Sequence, residues 1–475
     1  MIAILPGHDE HAPDQSAQDQ SAQDQPAPGQ PATGQPAPDE HGDGPPRPVL
    51  LLEPREGVPD VVQSAGALAA VVERFAAGSG PVAVDAERAS GYRYSQRAYL
   101  VQVRRAGAGS ALIDPIACPD LSELSAALAG TEWVLHAASQ DLACLAEVGF
   151  VPSSLFDTEL AGRLAGFERV GLGAMVELVL GVRLEKGHSA ADWSTRPLPR
   201  DWLSYAALDV EVLLELRDAL EAELHRQGKL EWAQEEFEAV RRMPPPAPRT
   251  DPWRRTSGLH RVRTPRQLAA VRSLWEARDA MARRRDTAPG RILPDAAIVG
   301  AVAGQPESAA SLLELPVFRG RSTRRHVAVW WTALQQAAAL PVEQLPMPVP
   351  VGDGPPAANR WAERDPVAAR RLSRVRTAVS ALAAAHTMPA EQLLQPEALR
   401  RLAWPTGPVT LEAVSASLVA SGARPWQVRL TAPTLVGALT EPAEPAEPPE
   451  PAELAESAEL PEPIDPAEPA AAAPA

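Results

Sequence analysis

The chain has 475 residues and a formal net charge of −16 at pH 7. Ordinary domains hold about 100–200 residues, so the length excludes a single small domain. Two cysteines are too few for a disulfide framework, and no apolar run approaches the roughly 18 residues of a membrane span. We therefore expect a protein of two or three domains with no membrane association.

The negative charge lies at the two ends of the chain. Residues 1–50 carry −7 and residues 441–475 carry −10, which leaves +1 for residues 51–440. Both ends repeat Pro, Ala, Gln and acidic residues and contain few large apolar side chains, a composition typical of disorder. We expect residues 1–49 and 441–475 to be solubilising tails, with electrostatic competition against nucleic acid as the alternative. The apolar start, Met1–Pro6, is too short for a signal-peptide core, and we expect a cytoplasmic location.

Residues 50–240 begin with short apolar runs that predict strands. The runs cover 81–87, 99–104 and 110–114, and a further strand is predicted at 132–137 after a helix at 121–128. Helical spacing then predicts helices at 141–149, 155–166, 172–181 and 201–228. Strands followed by and alternating with helices predict an α/β domain over residues 50–240.

Two proline-rich segments divide the rest of the chain. Residues 241–256 and 341–360 are predicted linkers, because successive prolines cannot continue a helix. Residues 257–340, the first helical block, and residues 361–440, the second helical block, show helical patterns. Both blocks are predicted to be all-α domains.

Three groups of acidic residues stand where a sheet and its helices can bring them together. Asp85 and Glu87 lie two residues apart on a predicted strand and so share one face. Tyr205 and Asp209 lie four residues apart and share one helix face. Asp141 opens a helix after the strand that carries His136. Each group alone is common at strand ends or helix starts, but together they form an oxygen-rich set suited to Mg²⁺ or Mn²⁺.

The order of these groups resembles the tyrosine-containing branch of the DEDD exonuclease superfamily. LIDP (112–115), LHAASQDL (135–142), FDTELAGRL (156–164) and ADWSTRPL (191–198) resemble segments of the ribonuclease D family. The segment 259–295 resembles the start of an HRDC domain, a helical nucleic-acid-binding module, and residues 361–440 resemble a second one more loosely. Two positions depart from the pattern: Ala86 stands where Thr is common, and Arg88 where an apolar or aromatic residue is frequent.

The resemblance implies a ribonuclease H-like exonuclease domain with a mixed sheet flanked by helices, followed by all-α HRDC-like domains. It assigns Asp85, Glu87, Asp141 and Asp209 to two divalent metal ions, with Asp85 bridging them, and Tyr205 to the attacking water. The implied activity is 3′→5′ exoribonuclease cleavage that releases nucleoside 5′-monophosphates, in 3′-end processing of tRNA precursors or other structured RNA. A DNA exonuclease with the same site and a non-catalytic nucleic-acid-binding protein are the alternatives.

Basic residues predict where nucleic acid binds. Lys186 and Arg196 flank the ADW segment and are candidate phosphate contacts. Residues 249–340 hold sixteen arginines and seven acids, a net charge of +9, and are densest at Arg283, Arg284 and Arg285. Trp193 is expected either to stack on a base or to pack in the core. Asp157 is expected to start a helix and not to bind metal.

Overall fold

The computed structural model describes residues 48–185, 187–244, 247–347, 354–404 and 407–440. The predictions for the two tails and for Lys186 lie outside these ranges. Within them, no helix is both long and apolar enough to cross a membrane.

The first part of the described chain alternates strands and helices. The elements in chain order are β1 Val49–Leu51, β2 Val61–Val62, α1 Ala65–Ala76, β3 Ser79–Arg88, β4 Ala98–Ala106, β5 Gly109–Ile113, α2 Ser122–Ala127, β6 Glu132–Leu135, α3 Leu142–Glu147, β7 Ser154–Asp157, α4 Thr158–Ala165, α5 Leu172–Leu180, β8 Val182–Leu184, α6 Arg200–Glu211, α7 Leu213–Arg226 and α8 Leu230–Arg241.

Six strands form one mixed sheet in the order β2-β5-β4-β3-β6-β7. The central strands β3, β4 and β5 pair antiparallel, whereas β2, β6 and β7 join through parallel pairings. Val82, Ala83 and Val84 on β3 are fully buried, because helices cover both faces at the middle of the sheet. This is the predicted mixed sheet flanked by helices.

Two of the predicted elements differ from the structure. Residues 155–157, predicted as the start of a helix, belong to β7, because SLFD (154–157) pairs in parallel with β6 before the chain turns into α4. The single helix predicted over 201–228 is two helices, α6 and α7, which meet at Val212. The sequence pattern also missed β1 and β8, which pair with each other in a separate two-stranded sheet.

The first helical block has its own apolar core. Its helices are α9 Pro265–Arg285, α10 Pro289–Ile292, α11 Asp295–Gly304, α12 Ala309–Glu314, α13 Arg321–Arg325 and α14 Val327–Ala339. Thr264 and Gln267 form a capping box that fixes the start of α9. Trp253 and Trp330 are among the buried side chains of this core, which is separate from the core under the sheet.

The second helical block shares its core with the sheet domain. Its helices are α15 Trp361–Arg364, α16 Pro366–Ala385, α17 Ala390–Leu393, α18 Pro396–Ala403, α19 Leu411–Ala420 and α20 Pro425–Thr440. One continuous apolar cluster runs from the sheet through α4 and α8 into these helices. Trp426 on α20 stacks on Trp232 on α8, with ring centroids 5.0 Å apart. The block is thus built onto the helices behind the sheet.

Candidate active site

Strand β3 presents the first two carboxylates. Asp85 and Glu87 alternate with Val82, Val84 and Ala86 along the strand, so both point to one face of the sheet. That face opens at the end of β3 into a cavity of about 680 Å³, which both carboxylates line. Their positions follow from the period of two that the sequence predicts.

Helix α6 brings the third carboxylate to the first two. Ala206 and Ala207 are fully buried, and their small side chains let the helix approach the sheet closely. One carboxylate oxygen from each of Asp85, Glu87 and Asp209 can be chosen so that all three lie within 4.8 Å of one another. Tyr205, one turn earlier on the same face, lines the same cavity. Three acids from two distant segments therefore converge on one point.

Asp141 reaches the cavity from a strained turn. The residue precedes α3 and is 5% exposed. The turn before it begins at Ala137, whose φ of 58° is unusual for a residue with a Cβ atom. The Asp157 carboxylate accepts hydrogen bonds from the Ala137 and Ala138 amides at 3.1 and 2.8 Å. Asp157 therefore anchors the turn that carries Asp141.

Asp157 also caps α4, as the sequence predicts. Its carboxylate accepts hydrogen bonds from the amides of Glu159 and Leu160. Burial raises the pKa of Asp157 to about 6, although these amide donors oppose the shift. The sequence pattern did not predict that Asp157 also anchors the turn before Asp141, because the amides of the 137–138 turn lie nineteen or twenty residues away along the chain.

His136 makes a structural hydrogen bond. Its Nδ1 atom lies 2.9 Å from the Thr158 hydroxyl, which itself donates to the Leu135 carbonyl. The hydroxyl proton is thus already used, so Nδ1 must carry the proton of the neutral ring. Burial lowers the pKa of His136 to about 4, which keeps the ring neutral at physiological pH.

The carboxylates of the site are held close together and away from bulk water. Burial raises the pKa of Glu87 to about 10, and the charges of Asp85 and Asp209 push it the same way. Burial also raises the pKa values of Asp85, Asp141 and Asp209. Without a cation, these surroundings oppose the ionisation of all four carboxyls together. Four oxygen-donor side chains that repel each other until a cation lies between them fit divalent metal ions.

The surroundings of Tyr205 oppose ionisation of its phenol when no metal ion is bound. Burial raises the pKa of its phenol far above the ordinary value, and the charges of Asp209 and Glu87 raise it further. The hydroxyl therefore stays protonated at neutral pH. Trp193, fully buried, packs against Tyr205 with ring centroids 6.4 Å apart and donates its indole N–H to the His188 carbonyl. Of the two expectations for Trp193, packing in the core is the one observed.

The cavity is also lined by three arginines that were not predicted from the sequence to contact phosphate: Arg88, Arg169 and Arg183. Arg88 ends β3, and its guanidinium lies 3.4 Å from the Asp141 carboxylate. Arg169 lines the cavity from the loop between α4 and α5. Within the described part of the chain, the Arg169 side chain is exposed and has no hydrogen-bond or ionic partner.

The structure does not support the predicted phosphate contact at Arg196. All five of its N–H donors are used inside the protein. Two of them hold the Asp114 carboxylate at 2.8 and 2.9 Å, and the others reach the carbonyls of Trp193, Thr195 and Tyr99. Arg196 instead ties the segment after the ADW sequence to the edge of the sheet.

The three arginines predicted to bind nucleic acid at the end of α9 have different surroundings. Arg283 donates to the Tyr94 hydroxyl at 3.1 Å and pairs with Asp279, so it takes part in an internal contact. Arg285 lies 2.9 Å from the His326 ring. Arg284 is exposed and has no partner within the described residues. Of the three, Arg284 is the one whose charge is wholly free.

Arg283 belongs to a polar contact between the first helical block and the loop after β3. The Asp286 carboxylate accepts hydrogen bonds from the amides of Tyr94 and Ser95 at 3.1 and 2.8 Å. Arg291 donates to the Gly91 carbonyl at 2.8 Å and lies over the Tyr92 ring. The block is therefore fixed a few residues from Glu87.

Three family models match the chain. A model described as 3′-5′ exonuclease matches residues 59–225, and an HRDC domain model matches residues 267–334. A model described as 3′ to 5′ exonuclease C-terminal domain matches residues 354–439. The matches agree with the predicted exonuclease domain and with the HRDC-like prediction for the first helical block. The second block, predicted as a further HRDC-like domain, instead matches the exonuclease C-terminal domain model.

Curated relatives carry the name Ribonuclease D. One from Acidiphilium cryptum is 36% identical over 234 residues, which is 47% of this chain and 58% of the relative, so this match spans little more than half of that relative. One from Escherichia coli is 33% identical over 274 residues, 56% of this chain and 72% of the relative.

Two solved structures extend the similarity to most of the chain. A Bifidobacterium adolescentis protein is 40% identical with a TM-score of 0.76, covering 82% of this chain and 99% of that one. Escherichia coli RNase D, titled an exoribonuclease involved in structured RNA processing, is 28% identical with a TM-score of 0.58, covering 80% and 98%. With the family models and curated relatives, these similarities show that the chain belongs to the ribonuclease D family.

Proposed function

We propose that this protein is a metal-dependent 3′→5′ exoribonuclease that releases nucleoside 5′-monophosphates. The observation that carries the proposal is the convergence of Asp85, Glu87 and Asp209 within 4.8 Å, in a cavity that Asp141 and Tyr205 also line. An aqueous cavity beside clustered carboxylates suits a charged substrate. Membership of the ribonuclease D family supports the same activity.

Asp85, Glu87, Asp209 and Asp141 would hold two divalent cations, Mg²⁺ or Mn²⁺. When bound, such a pair stabilises the attacking and the leaving oxygen of a phosphodiester. Their carboxylates must lose the protons that burial now favours, so cation binding releases protons and strengthens with rising pH. The charge of Asp85 raises the pKa values of Glu87, Asp141 and Asp209 alike, which supports a shared, bridging role for Asp85.

Tyr205 orients the attacking water and does not deprotonate it. The raised pKa of its phenol leaves a hydroxyl that donates one hydrogen bond and accepts another. Trp193 and Trp202 pack together behind this ring, so Tyr205 has little freedom to turn. A phenol held beside Asp209 in the cavity would orient the reacting water, which contributes to rate without proton transfer.

The basic residues of the first helical block would hold the RNA outside the cavity. We define a basic surface of six exposed arginines at the end of α9, in the loop before α13 and on α13: Arg284, Arg285, Arg319, Arg321, Arg324 and Arg325. Ser322 on α13 donates to the Arg291 carbonyl, and Arg291 contacts Gly91. This chain of contacts fixes the basic surface relative to the strand that carries Glu87.

The proposed substrates are the 3′ ends of tRNA precursors or other structured RNA. Structured RNA needs phosphate contacts over a longer distance than the cavity supplies, and the basic surface provides them. Buried free thiols at Cys118 and Cys144 suit a reducing compartment, so the proposal includes a cytoplasmic location. We also propose the predicted boundaries at 240, 257, 340 and 361 as those of the exonuclease domain and the two helical blocks.

The test uses purified full-length protein with RNA and DNA of one sequence, each labelled at the 5′ or the 3′ end. With Mg²⁺ or Mn²⁺, 5′-labelled RNA should shorten one nucleotide at a time, and 3′-labelled RNA should release labelled mononucleotide at once. EDTA should stop both reactions. Faster cleavage of DNA would favour the alternative substrate, and undiminished activity in EDTA would contradict the metal site.

A further inference from the structure

Arg88 is a cation placed against the carboxylates by an irregularity in the sheet. Alternation along β3 would turn its side chain away from the face shared by Asp85 and Glu87. The pairing with β4 shifts at this step, however, since Glu87 pairs with Leu100 and Arg88 with Ala98. Such irregularities re-aim side chains next to active sites. The result is a guanidinium that lines the cavity instead of the opposite face.

The guanidinium has one ionic contact within the described residues. Its Nη2 atom lies 3.4 Å from an Asp141 oxygen, and the side chain is 26% exposed. Asp141 is almost fully buried, so this pair is poorly screened by water. At 3.4 Å the contact is longer than the 2.7–2.9 Å typical of charge-assisted hydrogen bonds. Arg88 therefore neutralises Asp141 in part and remains open to a second partner.

The charges at the site indicate that the second partner of Arg88 is a phosphate group. A divalent cation at Asp141 would remove the attraction that holds Arg88, because like charges repel. The phosphodiester that enters the cavity is an anion, and a guanidinium matches two phosphate oxygens with two parallel N–H donors.

We propose that Arg88 exchanges partners at the active site, pairing with Asp141 before metal binds and with the scissile phosphate afterwards. Arg88 is thereby a phosphate-binding residue that also competes with metal for Asp141. This inference rests on the proposed function, because it assumes that a phosphate enters the cavity beside the carboxylates.

The test measures binding in the full-length protein, without turnover. Calorimetry gives the affinity for Mn²⁺ in the absence of nucleotide, and then the affinities for AMP and adenosine in saturating Mn²⁺. Removing the competing cation in Arg88→Met should tighten Mn²⁺ binding by about three- to tenfold. The preference for AMP over adenosine should fall by about tenfold, because a charge-assisted contact to phosphate is lost.

Two further variants separate the charge from the fold. Arg88→Lys keeps the charge without the paired donors, so its Mn²⁺ affinity should stay near wild type while its AMP preference falls part of the way. Arg200→Met removes an exposed arginine at the start of α6, outside the cavity, and should change neither quantity. Melting temperatures establish that each variant is folded.

The outcomes distinguish this inference from the proposed function. An unchanged Mn²⁺ affinity or an unchanged AMP preference in Arg88→Met would overturn the exchange of partners. A wild-type protein that binds AMP no better than adenosine in Mn²⁺ would overturn both the exchange and the phosphate site on which it rests. Shifts in both quantities for Arg88→Met, with none for Arg200→Met, are the expected result.

Discussion

The two helical blocks join the nuclease in opposite ways. The second block continues the apolar core behind the sheet, with Trp426 stacked on Trp232. Gly166 there lies so close to this block that an added Cβ atom would meet the Thr387 carbonyl oxygen at 2.2 Å. The first block keeps its own core and meets the nuclease at Tyr94 mainly through hydrogen bonds and ion pairs. One block is therefore part of the nuclease fold, and the other is docked on it.

The way each helical block is attached corresponds to where that block lies relative to the active site. The second block packs against the helices that cover the back of the sheet. Apolar contacts there contribute to the stability of the nuclease fold. The first block contacts the loop that follows Glu87 and Arg88, where polar contacts can form and break. Interfaces between domains that are polar commonly allow relative motion. We infer that the second block stabilises the catalytic residues and that the first positions the substrate.

The largest effect is expected from Trp426→Ala. The side chain is 1% exposed and its indole N–H donates to Glu236 at 2.9 Å. Its removal leaves a large cavity in the shared core and should lower the free energy of unfolding by about 3–5 kcal/mol. Calorimetric unfolding should show one transition that includes nuclease and second block, and this transition should move.

The matched control is Trp330→Ala in the separate core of the first block, where Trp330 is fully buried. This variant should lower the transition of the first block and leave the nuclease transition nearly in place. If both tryptophan variants shift the same single transition equally, the two blocks are not attached in different ways.

A smaller effect is expected from Asp286→Ala. The change removes the acceptor for the amides of Tyr94 and Ser95 and for the Tyr99 hydroxyl. It should weaken docking of the first block by about 2 kcal/mol, because three donors lose a charged partner. Hydrogen exchange at 91–97 should rise, while the core of the sheet stays protected. An equal rise in Glu307→Ala, an exposed acid of the same block, would refute a specific contact.

The acidic cavity gives a prediction for pH. The pKa of Glu87 is raised in the folded protein to about 10, so the metal-free protein loses stability as the pH rises from about 4.5 through about 10. Glu87→Gln should remove this pH-dependent loss of stability, because glutamine does not ionise. The variant should match wild type near pH 4 and be more stable at pH 8 by about 1 kcal/mol or more.

The higher stability of Glu87→Gln should appear in the unfolding transition of the nuclease and not in the unfolding transition of the first helical block. Thermal unfolding in EDTA at several pH values measures it. A stability difference that shrinks with rising pH would have the wrong sign for a buried, protonated carboxyl. Saturating Mg²⁺ should reverse the order at pH 8, because wild type alone keeps the full ligand set.

The smallest effect concerns the basic surface. Arg324→Gln with Arg325→Gln removes two exposed charges, so the dependence of log affinity for single-stranded RNA on log salt should become shallower by about 0.7 for each lost contact. Filter binding in EDTA, without cleavage, measures this slope. Arg261→Gln with Arg263→Gln, at the other end of the block, is the control and should leave the slope unchanged.

The sequence predicted the site better than its surroundings. Asp85 and Glu87 two apart on a strand, and Tyr205 and Asp209 four apart on a helix, follow local periodicity and could be placed without a structure. The direction of Arg88 depends on a register shift between two strands, which no local pattern reveals. The internal hydrogen bonds of Arg196 could not be predicted, because its partner Asp114 lies 82 residues away.

The same distinction applies to the secondary structure. Elements with a local sequence pattern could be predicted, and elements that depend on distant contacts could not. Four of the eight strands, β3 to β6, and most helices could be predicted because their apolar residues repeat with a period of two or about 3.6. β1 and β8 could not, because three-residue strands carry little pattern and pair across more than 130 residues. The short strand β7 runs directly into α4, so its residues read as the first turn of that helix.

The central claim is that Asp85 and Asp209 hold the metal ions of a 3′→5′ exoribonuclease. The most direct measurement is a time course on 5′-labelled RNA in Mg²⁺ for wild type, Asp85→Asn and Asp209→Asn, with melting temperatures taken in EDTA. Wild type should give products that shorten one nucleotide at a time, and both variants should be folded but at least about 1,000-fold slower, since a lost metal ligand removes several kcal/mol of transition-state stabilisation. Wild-type rates in either folded variant would contradict the account.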